Sequence, residues 1–394
     1  METELARPQS DDGAIGLSVD QRGPGRGAPR GEPAVVGSKT SAAALARRVL
    51  AQVGDGQLSL PALTVRFWDG SELRARRGPV VAVRDPAAVV HLLRSPSQLG
   101  FARAWVDGSL DVDDDLERVL QARDAFRGVR LSTADRVRLA VATAWIAGRR
   151  MFRPPPIPPI EARLSGRRKS FARDRDAVRH HYDVSNRFYR LVLGPTMVYS
   201  CAYFSSPDDT LEVAQERKLD LICRKLGLRE GERLLDIGCG WGSLPIHAAA
   251  RYGVRVLGVT LSEPQAQLAR ERAAEAGVGD LVEIRVQDYR EVADGPFDKI
   301  ASVGMYEHVG RAELGRYARA VVSLLRPGGL FLNHGITRLV SHAPEPDPFI
   351  ARYVFPDGEL HPVTDVMRAM QAVQLEVRDR LPPERRIDAH LEDA

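Results

Sequence analysis

The chain has 394 residues, enough for two or three domains, and its 44 % apolar and 27 % charged content describes an ordinary globular protein. The longest apolar run, around Leu139–Ala147, is about half of the roughly 18 residues that a membrane-spanning helix needs. The net charge of +4 is small, yet 51 of the 56 basic residues are arginine, whose guanidinium fork suits phosphate groups. Three cysteines (Cys201, Cys223 and Cys239) show neither CxxC pairs nor Cys/His ligand spacing, which argues against a zinc site and a disulfide framework. The start, Met1-Glu2-Thr3-Glu4, lacks the positive-then-apolar secretory pattern, so a cytoplasmic protein without metal is expected.

In chain order, residues 1–37 hold seven glycines and four prolines without periodicity, and a disordered tail is expected over 1–38. A small domain is expected over 39–130. Its pattern gives a helix at Ala43–Val53, strands at Leu63–Trp68 and Val80–Arg84, and helices at Pro86–Arg94 and Asp115–Phe126. Between 131 and 179 comes a linker, with an amphipathic helix at 134–150 and then the extended run Met151–Pro159. From Arg149 to Arg179 there are ten Lys/Arg against three acids, a composition that docks on anionic lipid headgroups or simply stays solvated.

From 180 to 380 the text alternates. Apolar strands are expected at Arg233–Ile237, Val254–Val259, Val282–Val286, Lys299–Val303 and Leu330–His334, with helices at Ser243–Tyr252, Glu263–Ala276 and Ala312–Leu325. This is the signature of an α/β fold with an open, doubly wound parallel sheet, whose ligands bind beyond the carboxyl ends of the strands.

After the first of these strands stands Asp236-Ile237-Gly238-Cys239-Gly240-Trp241-Gly242. Glycines there let the backbone approach a ligand before the next helix begins. No GK[ST] follows, which disfavours a triphosphate, and the second strand ends in Gly258-Val259-Thr260-Leu261-Ser262 without an acid for a dinucleotide ribose. A carboxylate just ahead of the glycines suits S-adenosylmethionine, whose ammonium needs an acidic environment.

Several stretches together resemble the cyclopropane-fatty-acyl-phospholipid synthase family, with its mycolic-acid and branched-fatty-acid relatives. They are His181–Tyr189, Met197–Phe204, Ala214-Gln215 with Lys218, the glycine loop, Val259–Ser262 ahead of Gln265, Gly304–Gly310, Asn333–Ile336 and Phe349–Pro362. Leu99–Trp105 is similar to part of the family's smaller lipid-handling domain, which places such a domain over 39–130.

The resemblance implies a Rossmann-like methyltransferase domain that moves a methyl group from S-adenosylmethionine to a cis double bond of a phospholipid acyl chain. An alkene is a weak nucleophile, so the reaction passes through a carbocation that a base must deprotonate while water is kept away. In the family that base is a bound bicarbonate ion, and the matching residues are Cys201, Glu307, His334 and Ile336. Tyr199, Ser200, Asp236, Gly238, Cys239, Gly240, Thr260, Leu261, Ser262, Gln265, Asp288 and Tyr289 match its cofactor positions. A methyl- or methylene-branched product by the same transfer is an alternative outcome. Unsaturated phospholipids at the inner face of the membrane and a second copy of the chain are the expected partners, and nucleic acid is not.

Family members continue well past the strand matching Gln374–Arg378, with a helix bearing a further tyrosine and a final strand. Here a polar tail over 381–394 follows Arg380. The expectation is an unfinished sheet with Val373–Val377 as its open edge, and weak or absent turnover.

Overall fold

The computed structural model of the chain describes residues 34–36, 41–50, 63–75, 78–95, 97–113, 116–122, 141, 155–167, 169–182, 184–338 and 349–378. Apart from Val141, the amphipathic helix expected at 134–150 lies outside the described residues, as do the tail over 381–394 and most of the N-terminal one. The chain divides into two compact units, Met1–Val89 with Gly108–Arg153, and Val90–Asp107 with Pro154–Ala394.

The first unit carries five short strands, β1 (Ala34–Val36), β2 (Thr64–Phe67), β3 (Glu72–Arg74), β4 (Val80–Val83) and β5 (Leu110–Val112), in the order β1-β3-β2-β4-β5. Strand β1 corrects the expected disorder. Its Ala-Val-Val pairs antiparallel with β3, Val35 opposite Leu73, so a non-local partner orders a segment whose neighbours read as tail. Helix α1 (Ala42–Leu50) begins against the β2–β3 turn, where Asp69 Oδ2 accepts from Ala42 N at 2.7 Å and Ser71 Oγ accepts from Ala43 N at 3.0 Å. Those two side chains satisfy amides that the helix itself cannot. Helix α2 (Ala87–Arg94) crosses from this unit into the second, which takes up α3 (Gln98–Val106), while α4 (Leu116–Ala122) returns to the first.

The second unit confirms the α/β expectation. Its parallel strands are β6 (Arg233–Ile237), β7 (Arg255–Thr260), β8 (Val282–Val286), β9 (Phe297–Val303) and β10 (Leu325–His334), in the order β10-β9-β6-β7-β8. Ahead of them come α5 (Phe171–Tyr182), α6 (Asn186–Leu193) and α7 (Leu211–Leu226). Helices α8 (Ser243–Tyr252), α9 (Glu263–Glu275), α10 (Leu314–Leu324) and α11 (Val363–Gln371) cover the sheet. Alternate strand residues build two cores. Leu234, Val256, Ile284 and Ala301 pack with α7, α8 and α9, whereas Leu235, Leu257 and Ile300 pack with α10 and α11. Burial on both faces is what keeps these strands almost continuously apolar.

Strand β10 starts five residues before the expected Leu330. The turn-like Pro327-Gly328-Gly329 is absorbed as a register shift within an outer strand rather than ending it. A second correction concerns residues 373–377, which form no strand. Gln374 is left-handed (φ +65°), and Val373 and Leu375 pack onto the α10–α11 core. Among the described residues the sheet's edges are β10 and β8, and the one the tail was expected to adjoin is β10.

The basic stretch is also changed by folding. Lys169 Nζ donates to His308 O and Asp357 O at 3.0 and 2.7 Å, and Arg173 pairs with Asp357, so two of its cations are engaged inside the fold. Arg175 and Arg179 stay exposed on α5. Nearby, Arg103 clasps buried Glu161 through two bonds of 2.8 Å, and the Tyr353 hydroxyl reaches the same carboxylate at 3.2 Å. No helix among the described residues is long and apolar enough to cross a membrane.

The chain leaves β8 and resumes at β9 on the other side of β6. The carboxyl ends of β6 and β9 thus form the switch point at which a ligand crevice opens.

Candidate active site

Strand β6 ends at Ile237 and passes through Gly238–Gly242 before α8 starts. Gly238 (φ +83°) and Gly240 (φ +52°) occupy left-handed backbone that other residues adopt at a cost. A Cβ on Gly238 would stand 3.1 Å from Met305 Cγ, so this glycine lets the β6 loop pass the β9 loop closely. One on Gly240 would meet only Gln265 Nε2, at 4.0 Å, and would point into open space. The amides of Gly238 and Cys239 both donate to Val259 O, at 2.9 and 3.0 Å, which fixes the loop over β7.

Beneath it lies a cavity of about 160 Å³. Eleven of the twelve expected cofactor residues line it: Tyr199, Ser200, Asp236, Gly238, Cys239, Gly240, Thr260, Leu261, Gln265, Asp288 and Tyr289. Ser262 does not; fully buried, it caps α9 by accepting from Gln265 N at 3.4 Å. Thr260 Oγ1 donates to Gln265 Oε1 at 2.7 Å. Asp288 is clasped by Arg290 at 2.8 and 2.6 Å, and Arg290 also reaches Asp174 at 3.1 Å and lies over the Phe171 ring.

The floor of the cavity is electrically unusual. Asp236 is buried with no partner for Oδ1, and burial, opposed by the Lys218 charge, pushes its carboxyl up to about 7. Lys218, equally buried on α7, donates to Ser200 Oγ at 2.7 Å, and desolvation pushes its ammonium down to about 8. These orphaned and desolvated groups, with the opening at Gly240, fit a ligand that carries both an ammonium and a carboxylate.

Of the four residues that the resemblance assigns to the reaction, Glu307, His334 and Ile336 gather at the tips of β9 and β10. Glu307 Oε1 accepts from Ile336 N at 2.8 Å, while Oε2 is buried without a partner and burial raises the carboxyl. The Tyr306 hydroxyl donates to Ile336 O at 3.2 Å, and Gly304 N to His334 O at 2.9 Å, which locks the two tips together. His334 Nδ1 is buried without a partner, and burial, reinforced by the Lys218 charge, pushes the imidazole down to about 4. Ile336 is 53 % exposed, and it is its backbone N and O that bond into the site, to Glu307 and Tyr306. Cys201 is half-buried, and its thiol feels the Lys218 charge.

An aromatic wall completes the site. His181 lies 4.1 Å from Phe355 and stacks on Tyr199, and Tyr182 and Tyr189 pack against Trp241, whose Nε1 donates to Asn186 Oδ1 at 2.8 Å. Sequence reasoning assigned no role to Lys218, Tyr182, Trp241 or His308, all of which line the cavity. For Tyr182, Trp241 and His308 the signal was present in the density of aromatic residues within the stretches around the glycine loop; Lys218 gave none.

Known proteins resemble this chain in sequence. Residues 169–386 match the mycolic acid cyclopropane synthetase family. The chain is 39 % identical over 329 residues to a probable fatty acid methyltransferase of Pseudomonas putida, covering 82 % of this chain and 77 % of that protein. It is 44 % identical over 193 residues to the cyclopropane-fatty-acyl-phospholipid synthase of Escherichia coli K12, covering 49 % of each. Among solved structures, the cyclopropane synthase MmaA2 of Mycobacterium tuberculosis superposes with a TM-score of 0.48 at 35 % identity, covering 50 % of this chain and 73 % of that one. The chain belongs to the mycolic acid cyclopropane synthetase family of S-adenosylmethionine-dependent methyltransferases.

Proposed function

We propose that the protein transfers the methyl group of S-adenosylmethionine to a cis double bond of an unsaturated phospholipid acyl chain, and that a bicarbonate ion held at the site takes the proton lost as the cyclopropane ring closes. The observation that carries this reading is the pair of buried, unpartnered acid–base atoms, Glu307 Oε2 and His334 Nδ1, on neighbouring strand tips. Similarity to the proteins named as a fatty acid methyltransferase and a cyclopropane-fatty-acyl-phospholipid synthase supports the acyl substrate.

When bound, the cofactor supplies an electrophilic methyl group on a positively charged sulfur. Asp236 would take its ammonium, and Lys218 with Ser200 its carboxylate. His334, kept neutral at pH 7 by burial, donates from Nδ1 to an anion's oxygen. Glu307 keeps one oxygen on the Ile336 amide and offers the other to the same anion, sharing its proton. The packed rings of Tyr182, Tyr199 and Trp241, with Phe355 stacked on Tyr199, would keep water from a developing cation.

A methyl- or methylene-branched product is a second reading, favoured by the 82 % coverage of the match to the fatty acid methyltransferase. In either case the enzyme docks on the cytoplasmic face of the membrane to reach its substrate. Expression in a host that lacks cyclopropane lipids, followed by mass spectrometry of its fatty acids, tests the proposal. A ring-bearing product one methylene heavier supports it, a branched product selects the second reading, and an unaltered profile overturns both.

A further inference from the structure

We infer that the outward face of α6 is a docking surface for an anionic phospholipid bilayer. The inference rests on the acyl-lipid reading above and names the surface through which it operates.

Helix α6 has two sharply different sides. Tyr189 and Leu193, four residues apart, are 3 % and 0 % exposed, and the Tyr189 ring packs 4.7 Å from Trp241 in the wall of the cavity. The opposite side is apolar and bare. Leu191 is 80 % exposed and Phe188 47 %, and Val184, just before the helix, is 55 % exposed. Phe188 and Leu191, three apart, share one face of the helix, and Val184 is exposed just ahead of it. Scattered exposed hydrophobics need no explanation, but two on one face of a rigid helix with a third just before it do.

The charges beside this face say what covers it. Arg187 and Arg190 are exposed beside Phe188 and Leu191, and the helix sequence Asn-Arg-Phe-Tyr-Arg-Leu-Val-Leu has no acid. Guanidinium groups at phosphate level with Phe and Leu reaching into the acyl boundary is the pattern of an interfacial helix. A second copy of the chain is a poorer occupant, because a two-fold contact would set these arginines against their own counterparts. The ends of the helix are fixed: Ser185 Oγ accepts from Phe188 N at 3.1 Å, and Asn186 Nδ2 donates to Pro264 O at 3.1 Å. One short helix thus carries a lipid-facing side and a site-facing side.

Vesicle sedimentation with phosphatidylglycerol–phosphatidylcholine mixtures and with phosphatidylcholine alone tests this. The wild-type chain should pellet with the anionic vesicles and detach as salt rises. Phe188→Ser with Leu191→Ser should weaken binding by about tenfold or more at every salt concentration. Arg187→Gln with Arg190→Gln should weaken binding at low salt and flatten the salt dependence. Calorimetry with S-adenosylhomocysteine should give unchanged affinity in both, which shows an intact fold; if the serine variant fails this control, the glutamine variant decides. Wild-type binding to anionic vesicles in both variants overturns the inference. So does a change in sedimentation-equilibrium mass with vesicle binding intact, which would make this face a contact between copies. Methyl transfer to detergent-dispersed phospholipid separates the two claims: its absence from a wild-type chain that binds vesicles would sink the proposed reaction and leave the docking surface standing.

Discussion

Glu307 accepts the backbone N–H of Ile336 at 2.8 Å, a bond that joins the turn after β9 to the segment just beyond β10. One carboxylate oxygen is committed to structure, and the other is buried without a partner.

Replacing Glu307 by Gln separates these two duties. The amide oxygen still accepts from Ile336, so affinity for S-adenosylhomocysteine should change little. The ionisable group is gone, and turnover should fall by roughly 10²-fold, the usual scale for acid–base groups. Steady-state kinetics beside calorimetry checks this. Wild-type turnover would leave Glu307 a structural residue only.

Gly240→Val addresses the cofactor loop. The backbone there is left-handed (φ +52°), which costs a β-branched residue roughly 1–2 kcal/mol, and the new side chain projects into the cavity. The strain lowers fold stability, and the side chain, by occupying the ligand's space, should drop cofactor affinity by more than about tenfold. Unchanged affinity would place the cofactor elsewhere.

Acid should destabilise the fold. His181, His308 and His334 are each pushed by burial from 6.5 down to about 4. Their neutral rings contribute stability that is complete above pH 6.5 and is lost as pH falls toward 4, because the unfolded chain takes up protons first. Asp236 runs the other way: raised from 3.8 to about 7, it favours the fold below 3.8 and loses that contribution as pH rises to 7. Burial lowers His180 and His247 as well and raises Glu307 and Asp174, so five imidazoles stand against three carboxyls and leave a net loss on acidification, roughly 1.4 kcal/mol per pH unit for each uncompensated proton. The denaturant midpoint should be lower at pH 5 than at pH 7. An equal or higher midpoint would mean that these rings are not buried as described.

Arg103→Met probes the clasp on Glu161, whose side chain is 3 % exposed. The variant leaves a buried carboxylate with only the Tyr353 hydroxyl, at a cost of about 3 kcal/mol. Replacing both partners, Arg103→Met with Glu161→Leu, should recover much of that loss. Urea denaturation measures both, and a near-neutral single variant would show the pair to be solvated.

The sequence is most legible where local pattern and tertiary demand coincide. Arg233–Ile237, Val282–Val286 and Ser243–Tyr252 form the expected elements at their expected bounds, because apolar strands and glycine turns punctuate that region without ambiguity. Strand β1 was hidden by its glycine- and proline-rich neighbours, since only pairing with β3 reveals it. Helix α5 was hidden too: Ala177 and His181 are its buried residues, too few for an apolar stripe. At the site, the glycine loop announces itself, whereas Lys218 reads as a solvated helical lysine until packing removes its water.

Trp241 gives the site a voice of its own. It is one of four tryptophans in the chain, 2 % exposed, and in the cavity wall, with tyrosine rings 4.7 and 6.0 Å away. At those separations the tyrosines pass their excitation to the indole, and the colour of its emission depends on the polarity around the ring. A ligand that enters the cavity displaces water beside that ring. Occupancy can therefore be followed by light, without a label and without turnover.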